Sequence, residues 1–219
     1  MVRVAVAAIG LTLSLLTSLG AQPPQERASE GQLRTAAAEV PRLVEALELR
    51  PGMTVADVGA GYGAHTIVLS RWLGPTGRVF ASEIGTPQLT ALRAAVEREP
   101  LPNVTVIEGA PASTNLPAGC CDALFIRDVY HHLTEPADIN RSLAAALKPG
   151  GRLAVIDFRP RPNSAVPDGV AADRLGHGVP VEIVEREVAA AGLTHVRTDA
   201  GWSEGGQPAN LYLVLFRKP

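Results

Sequence analysis

The chain has 219 residues, of which 46% are hydrophobic and 19% charged, and its formal net charge at pH 7 is −2. The balance of 20 basic against 22 acidic residues excludes the strongly basic surface that nucleic acid binding usually requires. The length fits one α/β domain with a short additional segment.

The first 21 residues differ in character from the rest of the chain. Met1-Val2-Arg3 is short and basic, residues 4–19 are mostly apolar, and the small residues Gly20 and Ala21 come next. This order is typical of a secretory signal peptide with its cleavage site. We therefore predict a signal peptide over residues 1–21, a linker over residues 22–30, and export to the periplasm or the medium.

Two other interpretations of this start stay open. The apolar run is short for a membrane span, which needs about 20 residues, but an uncleaved leader would still anchor the chain. A buried first helix is the second alternative, although the apolar residues do not fall on one face. After cleavage we expect no stable membrane span.

Beyond residue 30, the spacing of apolar residues predicts helices and strands in alternation. The first helix starts near residue 31 and ends at Arg50-Pro51-Gly52, and Pro41 divides it into two short helices in one interpretation. In chain order the following elements are strand 54–58, helix 66–73, strand 78–81, helix 89–96, strand 104–107, strand 123–129, helix 136–147, strand 153–158, helix 181–191, strand 195–198 and strand 211–216.

This alternation predicts an α/β fold with a Rossmann-like, doubly wound, mostly parallel sheet that carries helices on both faces. In such sheets, ligands bind outside the carboxyl ends of the strands, where the strand order reverses. We therefore expect the functional residues at the ends of the first, second, fourth and fifth strands. Lys148-Pro149-Gly150-Gly151 is predicted to stop the helix before the fifth strand.

A glycine-rich turn follows the first strand. Gly59, Gly61 and Gly63 let the backbone approach a ligand without a Cβ in the way, and the next helix would point its N-terminal amides at that ligand. The spacing of Gly59, Gly61 and Ala64 also fits a dinucleotide-binding turn. A tight turn without any ligand is the third interpretation.

Glu83 ends the second strand, about 20 residues beyond these glycines, where a ribose-binding carboxylate is expected. Its two oxygens can accept hydrogen bonds from both ribose hydroxyls. Because nicotinamide dinucleotides are not the only cofactors with that ribose, Glu83 indicates a nucleoside ligand without naming it.

The segment after the fourth strand falls on the floor of the expected pocket. A histidine accepts a proton near neutral pH, and a tyrosine hydroxyl can orient a nucleophile. The candidate catalytic residues are therefore Asp128, Tyr130, His131 and His132. The alternative is that one histidine caps the next helix while the other packs in the pocket wall.

Asp128 and the two histidines could suggest a metal site. No third and fourth ligand that would complete such a site is visible in the sequence, so we do not predict metal binding by this segment.

The loop over residues 160–178 is long enough to cover a substrate, and its His177 either reaches the pocket or faces solvent. Asp157-Phe158-Arg159, at the end of the fifth strand, is a further candidate segment.

Cys120 and Cys121 are the only cysteines of the chain. Adjacent cysteines rarely pair, because an extended dipeptide does not provide the geometry of a disulfide. We expect both side chains to pack against apolar neighbours, without a disulfide and without a metal ion.

Taken together, these segments resemble class I S-adenosylmethionine-dependent methyltransferases. The resemblance is strongest to the group with the ubiquinone and menaquinone biosynthesis enzymes, and to predicted bacterial methyltransferases with leader peptides. It covers about residues 40–195 and rests on residues 51–63, Glu83, residues 103–110, residues 122–133 and residues 147–153. It implies a class I methyltransferase domain over residues 31–219, with about seven strands and an antiparallel C-terminal strand.

The cofactor that this resemblance implies is S-adenosylmethionine, with the glycine loop and Asp57 at its aminoacyl end and Glu83 at its ribose. Many relatives have an aspartate for the adenine amino group where this chain has Ala110, so backbone groups or Glu108 would take that role. The residues expected to bind the cofactor are Asp57, Gly59, Ala60, Gly61, Gly63, Glu83, Glu108, Gly109, Ala110 and Arg127.

The resemblance therefore predicts a methyltransferase that acts on a small molecule, with no nucleic acid partner. Aligning the nucleophile with the cofactor methyl group supplies much of the rate of such a reaction, so the lack of a catalytic triad does not argue against an enzyme. Two alternatives stay open. One is a nicotinamide-dependent oxidoreductase with the same glycine loop, and the other is an exported, non-catalytic nucleoside-binding module.

Overall fold

The computed structural model describes residues 27–204 and 207–219, the side chains of residues 203–210 excepted. The predicted signal peptide over residues 1–21 and the first part of the predicted linker, residues 22–26, lie outside the described residues. No helix within the described ranges is long and apolar enough to cross a membrane.

Seven strands and five α-helices alternate through the described residues. The strands are β1 (Thr54–Val58), β2 (Arg78–Glu83), β3 (Val104–Glu108), β4 (Cys121–Arg127), β5 (Leu147–Phe158), β6 (Thr194–Glu204) and β7 (Gln207–Arg217). The helices are α1 (Glu30–Leu47), α2 (Ala64–Leu73), α3 (Thr86–Arg98), α4 (Pro136–Ala146) and α5 (Val181–Ala190).

The strands form one sheet in the order β3-β2-β1-β4-β5-β7-β6. Strands β1 to β5 pair in parallel, and β7 runs antiparallel to both β5 and β6. This confirms the predicted doubly wound α/β sheet with its antiparallel C-terminal strand. The strand order reverses between β1 and β4, which places the expected ligand site beside these two strands.

The sheet is covered on both faces because successive side chains of a strand point in opposite directions. Val55 and Phe125 pack with α1 and α2 on one face, whereas Leu124 and Ile126 pack with α4 and α5 on the other. All four side chains are almost completely buried. The central strands are therefore apolar on both sides, and polar chemistry is confined to their carboxyl ends.

Helix α1 is a single helix, and the prediction that Pro41 divides it is wrong. Pro41 has no N–H to donate to Ala37, but Ala37 is exposed, so water can satisfy its carbonyl group. The helix also begins earlier than predicted, because Ser29 and Gln32 form a capping box at its N-terminus. The last residues of the predicted linker therefore belong to this helix and its cap.

Strand β5 extends further toward the N-terminus than predicted. The segment Lys148-Pro149-Gly150-Gly151, predicted to stop the helix before a strand that begins at Leu153, is itself part of the strand. Leu147 pairs with Cys121, and Lys148 forms an ion pair with Asp122 at 2.7 Å. These contacts hold the segment against β4, although helix α4 does end before it as predicted.

Cys120 and Cys121 form a disulfide, so the prediction that these cysteines remain unpaired is wrong. The dipeptide is not extended throughout, because Cys120 closes a turn by donating its N–H to the carbonyl of Pro117. Gly119, just before it, has a left-handed conformation with φ of +62°. Cys121 is fully buried at the start of β4 and Cys120 is partly buried against the same core cluster, so both side chains pack against apolar neighbours as expected.

Candidate active site

A large cavity opens at the carboxyl ends of β1, β2 and β4, beside the reversal in strand order. Its volume is about 910 Å³, near the upper end of the range of about 300–1,000 Å³ for small-molecule sites. Its walls come from the glycine loop after β1, the ends of β2 and β4, the turn after β3 and the N-terminal turn of α1. The space is sufficient for a cofactor together with a small substrate.

The three glycines of the loop after β1 serve different purposes. All have positive φ, and a Cβ on Gly59 would lie 2.6 Å from Val129 Cγ2. A Cβ on Gly63 would lie 2.8 Å from Leu92 Cδ1, so this glycine accommodates helix α3. A Cβ on Gly61 would meet nothing within 4 Å, because Gly61 borders the cavity. Gly61 is therefore the glycine that leaves room for a ligand.

Glu83 is fixed on the wall of the cavity by backbone amides. Its Oε2 accepts a hydrogen bond from the Gly61 N–H at 2.7 Å, and its Oε1 accepts bonds from Ile84 and Gly85 at 2.7 and 3.1 Å. A carboxylate oxygen has two lone pairs, so Oε1 is fully used and Oε2 keeps one acceptor site for a ligand hydroxyl. The geometry suits a contact with one ribose hydroxyl, whereas the sequence led us to expect contacts with both.

Asp57 lies at the end of β1 with only 3% of its surface exposed. The Thr66 hydroxyl donates a hydrogen bond to its Oδ2 at 2.7 Å. Burial raises the pKa of the Asp57 carboxyl to about 6, although the charge of His65 and the hydrogen bond from Thr66 act in the opposite direction. A cation bound in the cavity would favour the ionised form of this carboxyl.

A buried charge cluster behind the cavity was not found from the sequence. Glu39 of α1 accepts hydrogen bonds from Arg127 Nε at 2.7 Å and from Trp202, and it contacts His65 Nε2 at 2.9 Å. Burial by itself would raise the pKa of Glu39, but the His65 hydrogen bond and the Arg127 charge lower it to about 2. His65 and Arg127 line the cavity, so this cluster fixes part of its polar wall.

The turn after β3 forms another part of the wall. The backbone N–H and carbonyl of Ala110 are both hydrogen-bonded to Ser113, and Ser113 and Thr114 line the cavity beside them. Glu108 instead lies on the surface, 3.2 Å from Arg93, and does not line the cavity. The structure therefore gives no support to Glu108 as a contact for adenine.

The segment after β4 is divided between the cavity and the core. Asp128 and His132 line the cavity, and Asp128 has φ of +57°, a conformation that non-glycine residues rarely adopt. Tyr130 is fully buried; its hydroxyl donates to Glu187 at 2.9 Å and accepts from Asn140 at 2.7 Å. Burial also raises the pKa of Tyr130, so its position fits a structural role and not the predicted catalytic one.

His131 lies behind the cavity wall and is held by a buried carboxylate. Its Nδ1 is 2.9 Å from Oδ1 of Asp157. The same carboxylate accepts the backbone N–H of His131 at Oδ2 and that of Phe158 at Oδ1. The loop after β5 places the ring of His177 with its centroid 4.8 Å from that of His131 and 5.7 Å from that of His132. The fold thus brings His177 to the adjacent imidazoles of His131 and His132, although 44 residues separate it from His132 in the chain.

The ionisation of His132 follows from this crowding. Burial and the neighbouring charges of His131 and His177 lower its pKa, while the Asp157 carboxylate acts in the opposite direction. The ordinary value of 6.5 is already below neutral, so the imidazole of His132 is mainly uncharged at pH 7.

Most of the cofactor residues predicted from the sequence line the cavity: Asp57, Gly59, Ala60, Gly61, Glu83, Ala110 and Arg127. Three of the predicted residues do not belong to the wall: Gly63, Glu108 and Gly109. Four wall residues that the sequence did not indicate come from the start of α1 and its cap: Ser29, Gly31, Gln32 and Thr35. The helix gave no local signal for them, because its apolar pattern reports only the face that packs on the sheet.

The sheet order, the glycine loop after β1 and the carboxylate after β2 together define an α/β protein that binds a nucleoside ligand. Comparison with known proteins narrows this class. Residues 56–155 match the family described as methyltransferase domain. A ubiquinone/menaquinone biosynthesis C-methyltransferase of Salmonella arizonae is 32% identical over 111 residues, which are 50% of this chain and 44% of that protein. The chain thus spans less than half the length of this curated relative.

Solved structures share the fold at low sequence identity. A SAM-dependent methyltransferase from Aquifex aeolicus superposes with a TM-score of 0.67 at 24% identity, over 85% of this chain and 93% of that one. The [4+2]-cyclase SpnF gives a TM-score of 0.66 at 18% identity, over 89% of this chain and 85% of that one. These similarities support the resemblance to class I S-adenosylmethionine-dependent methyltransferases found in the sequence, and the family match itself spans residues 56–155.

Proposed function

We propose that the protein transfers a methyl group from S-adenosylmethionine to a small molecule bound in the same cavity. The observation that carries the proposal is the pairing of Gly61 with Glu83. Gly61 leaves open space beside the backbone, and its N–H fixes the Glu83 carboxylate, which lines the cavity and keeps one acceptor site on Oε2. This is the arrangement that a ribose needs beside a closely approaching backbone.

The remaining parts of the cavity fit the rest of the cofactor. Asp57 offers a buried carboxyl for the ammonium group of the aminoacyl end, and Ser113 and Thr114 border the space beyond Glu83 for adenine. When bound, S-adenosylmethionine supplies a methyl group on a positively charged sulfur, ready for direct displacement. The residues of this chain then need only to bind, orient and exclude water, which by itself can supply much of the rate.

On the substrate side, Asp128 and His132 are the candidates to orient the nucleophile. Both line the cavity, and the imidazole of His132 is mainly uncharged at pH 7, so it can accept a proton from the attacking group. His131 lies behind the wall and would act through His132 as a positioning residue.

Calorimetric titration with S-adenosylmethionine and S-adenosylhomocysteine tests cofactor binding. We expect micromolar binding that is lost in Glu83→Ala and Gly61→Val. The exposed Glu97 of α3 provides a matched control, Glu97→Gln, which should bind as the original chain does. Absence of binding in folded protein would contradict the proposal.

The same titration separates the alternatives. Binding of NAD in competition with S-adenosylhomocysteine would favour the nicotinamide-dependent oxidoreductase. Tight cofactor binding without methyl transfer to any of a panel of alcohols, phenols and amines would favour a non-catalytic nucleoside-binding module. Transfer of labelled methyl to an acceptor, lost in Glu83→Ala, would establish the enzyme.

We also propose that the first 21 residues export the chain. The basic start, the apolar run and the small residues support this proposal. The disulfide between Cys120 and Cys121 supports it independently, because disulfides persist mainly in oxidising compartments. N-terminal sequencing of a C-terminally tagged chain after cell fractionation tests it. An uncut chain recovered from the soluble cytoplasm would contradict export.

A further inference from the structure

The loop between β5 and α5 carries a histidine that the proposed methyl transfer does not use. His177 stands between Gly176 and Gly178, whose φ angles are +133° and +122°. A Cβ on Gly178 would lie 2.8 Å from the Arg159 carbonyl group, and one on Gly176 would lie 2.9 Å from Ser164 Oγ. Only glycines fit at these two positions, so the loop passes close to its own beginning.

The backbone of His177 is fixed on both sides. Its N–H donates to Ser164 Oγ at 2.8 Å, and its carbonyl accepts the Arg161 N–H at 3.0 Å. Just beyond it, the Val179 N–H donates to the carbonyl of Phe158 at 3.0 Å. The imidazole is therefore presented from a closed loop and not from a free one.

His131 is the second fixed imidazole. Asp157 is fully buried and lies 2.9 Å from His131 Nδ1, so the nitrogen that remains for a ligand is Nε2. A buried carboxylate that holds one ring nitrogen of a histidine is the partner that metal-binding histidines usually have, because it orients the ring and raises its basicity.

The third imidazole is that of His132, which lines the cavity. One nitrogen from each of His131, His132 and His177 can be chosen so that all three lie within 4.8 Å of one another. Tetrahedral coordination with metal–nitrogen bonds of about 2.0–2.1 Å requires about 3.3 Å between ligand nitrogens, so the three nitrogens would have to approach one another by up to about 1.5 Å on binding one ion.

We propose that His131, His132 and His177 bind a divalent transition-metal ion of the zinc type at the edge of the cavity. Three histidines leave the fourth coordination position open, as in catalytic zinc sites. The exposure of the three side chains rises from buried His131 through partly exposed His177 to exposed His132, so the ion has a route of entry. The sequence prediction of no metal site assumed that no third ligand existed, and the fold supplies one.

Metal binding alone tests this proposal, whatever the outcome for methyl transfer. With the ion bound, His132 is a ligand and not a proton acceptor, because its coordinating nitrogen has no lone pair left, and Asp128 is then the residue that orients the nucleophile. The full chain, stripped of metal by a chelator, is titrated with Zn²⁺ by calorimetry and with Co²⁺ by visible absorption, which reports a four-coordinate histidine site. We expect one ion per chain and a loss of at least about 10-fold in affinity in His177→Gln. Asp157→Asn should weaken binding by about 10- to 100-fold.

The chain provides a matched control. His195 lies in β6 against Thr198 and Glu185, remote from the cluster, and His195→Gln should bind the ion as the original chain does. Binding unchanged in His177→Gln, or no stoichiometric binding at all, would overturn the proposal and leave an aromatic packing cluster with Phe158. His177→Gln changes only a partly exposed loop side chain, so the test holds even if Asp157→Asn does not fold.

Discussion

At the scale of single residues, Asp57 combines a cost in stability with a binding role. Its folded pKa of about 6 is above the ordinary value of 3.8, so the folded state holds more protons than the unfolded state between these values. Stability contributed by this group is therefore present at low pH and is lost as pH rises toward 6. Above pH 6 the buried carboxylate of Asp57 is ionised and destabilises the folded state unless a cation binds beside it.

We therefore expect Asp57→Asn to raise the free energy of unfolding at pH 7.5 by about 1–3 kcal/mol and to weaken binding of S-adenosylmethionine. The gain should be much smaller near pH 4 and should vanish near pH 3, where the original carboxyl is mainly protonated in both states. Urea unfolding at these pH values, with calorimetry of the cofactor, measures both effects. If Asp57→Asn were less stable than the original chain at pH 7.5, burial of the Asp57 carboxylate would not be lowering the stability of the folded state.

Glu39 is the opposite case, because its folded pKa of about 2 lies below the ordinary value of 4.5. Its stabilising contribution is present above 4.5 and is lost as pH falls toward 2. Glu39→Gln removes the buried carboxylate that lies 2.7 Å from Arg127, whose side chain is only 14% exposed, and leaves the exposed Asp128 at 4.0 Å as a weaker countercharge. We expect a loss of about 2–4 kcal/mol in the free energy of unfolding at pH 7.

The control for this change lies on the same helix. Glu45 is on the exposed face of α1, and Glu45→Gln should stay within about 0.5 kcal/mol of the original chain. Chemical unfolding between pH 7 and pH 3 should show the difference between Glu39→Gln and the original chain shrinking. A constant difference over that range would contradict the electrostatic explanation.

At the scale of elements, the glycine loop separates packing from ligand binding. Gly59→Ala places a Cβ 2.6 Å from Val129 Cγ2, whereas Gly61→Ala meets no protein atom. We expect Gly59→Ala to cost about 1–3 kcal/mol of stability through overpacking. Val129→Ala in the same chain should recover part of that loss.

Gly61→Ala should cost only about 1–2 kcal/mol, from its left-handed backbone conformation, but should strongly weaken cofactor binding. Thermal unfolding and calorimetry of the single variants and of the double variant Gly59→Ala/Val129→Ala distinguish the two roles. Equal effects of both glycines on cofactor affinity would mean that both face the ligand.

At the scale of the whole molecule, the cavity joins separate parts of the chain: the start of α1, the ends of three strands, and the turn after β3. A ligand at 100 times its dissociation constant stabilises the folded state by about 2.7 kcal/mol. For a domain of this size that corresponds to a rise in Tm of about 5–10 °C. We expect this rise with S-adenosylhomocysteine in a thermal shift measurement, and none in Gly61→Val.

Part of this site could be predicted from the sequence because its signals are local. The glycines after β1 and Glu83 after β2 each adjoin an apolar strand, and the carboxyl ends of parallel strands meet at one edge. The alternation of apolar segments also determined the sheet with its helices on both faces. It did not determine the helix across Pro41, since solvation of the exposed Ala37 carbonyl is not a property of the local pattern.

Only the tertiary structure decided which distant residues meet. Glu39 meets Trp202, and His177 meets His131, because the sheet order and the loop after β5 set these distances. The same holds for Tyr130, which local sequence placed in the pocket and packing placed in the core beside Glu187. Sequence patterns report which backbone segments bury apolar surface, whereas contacts between polar side chains depend on the final arrangement of those segments in space.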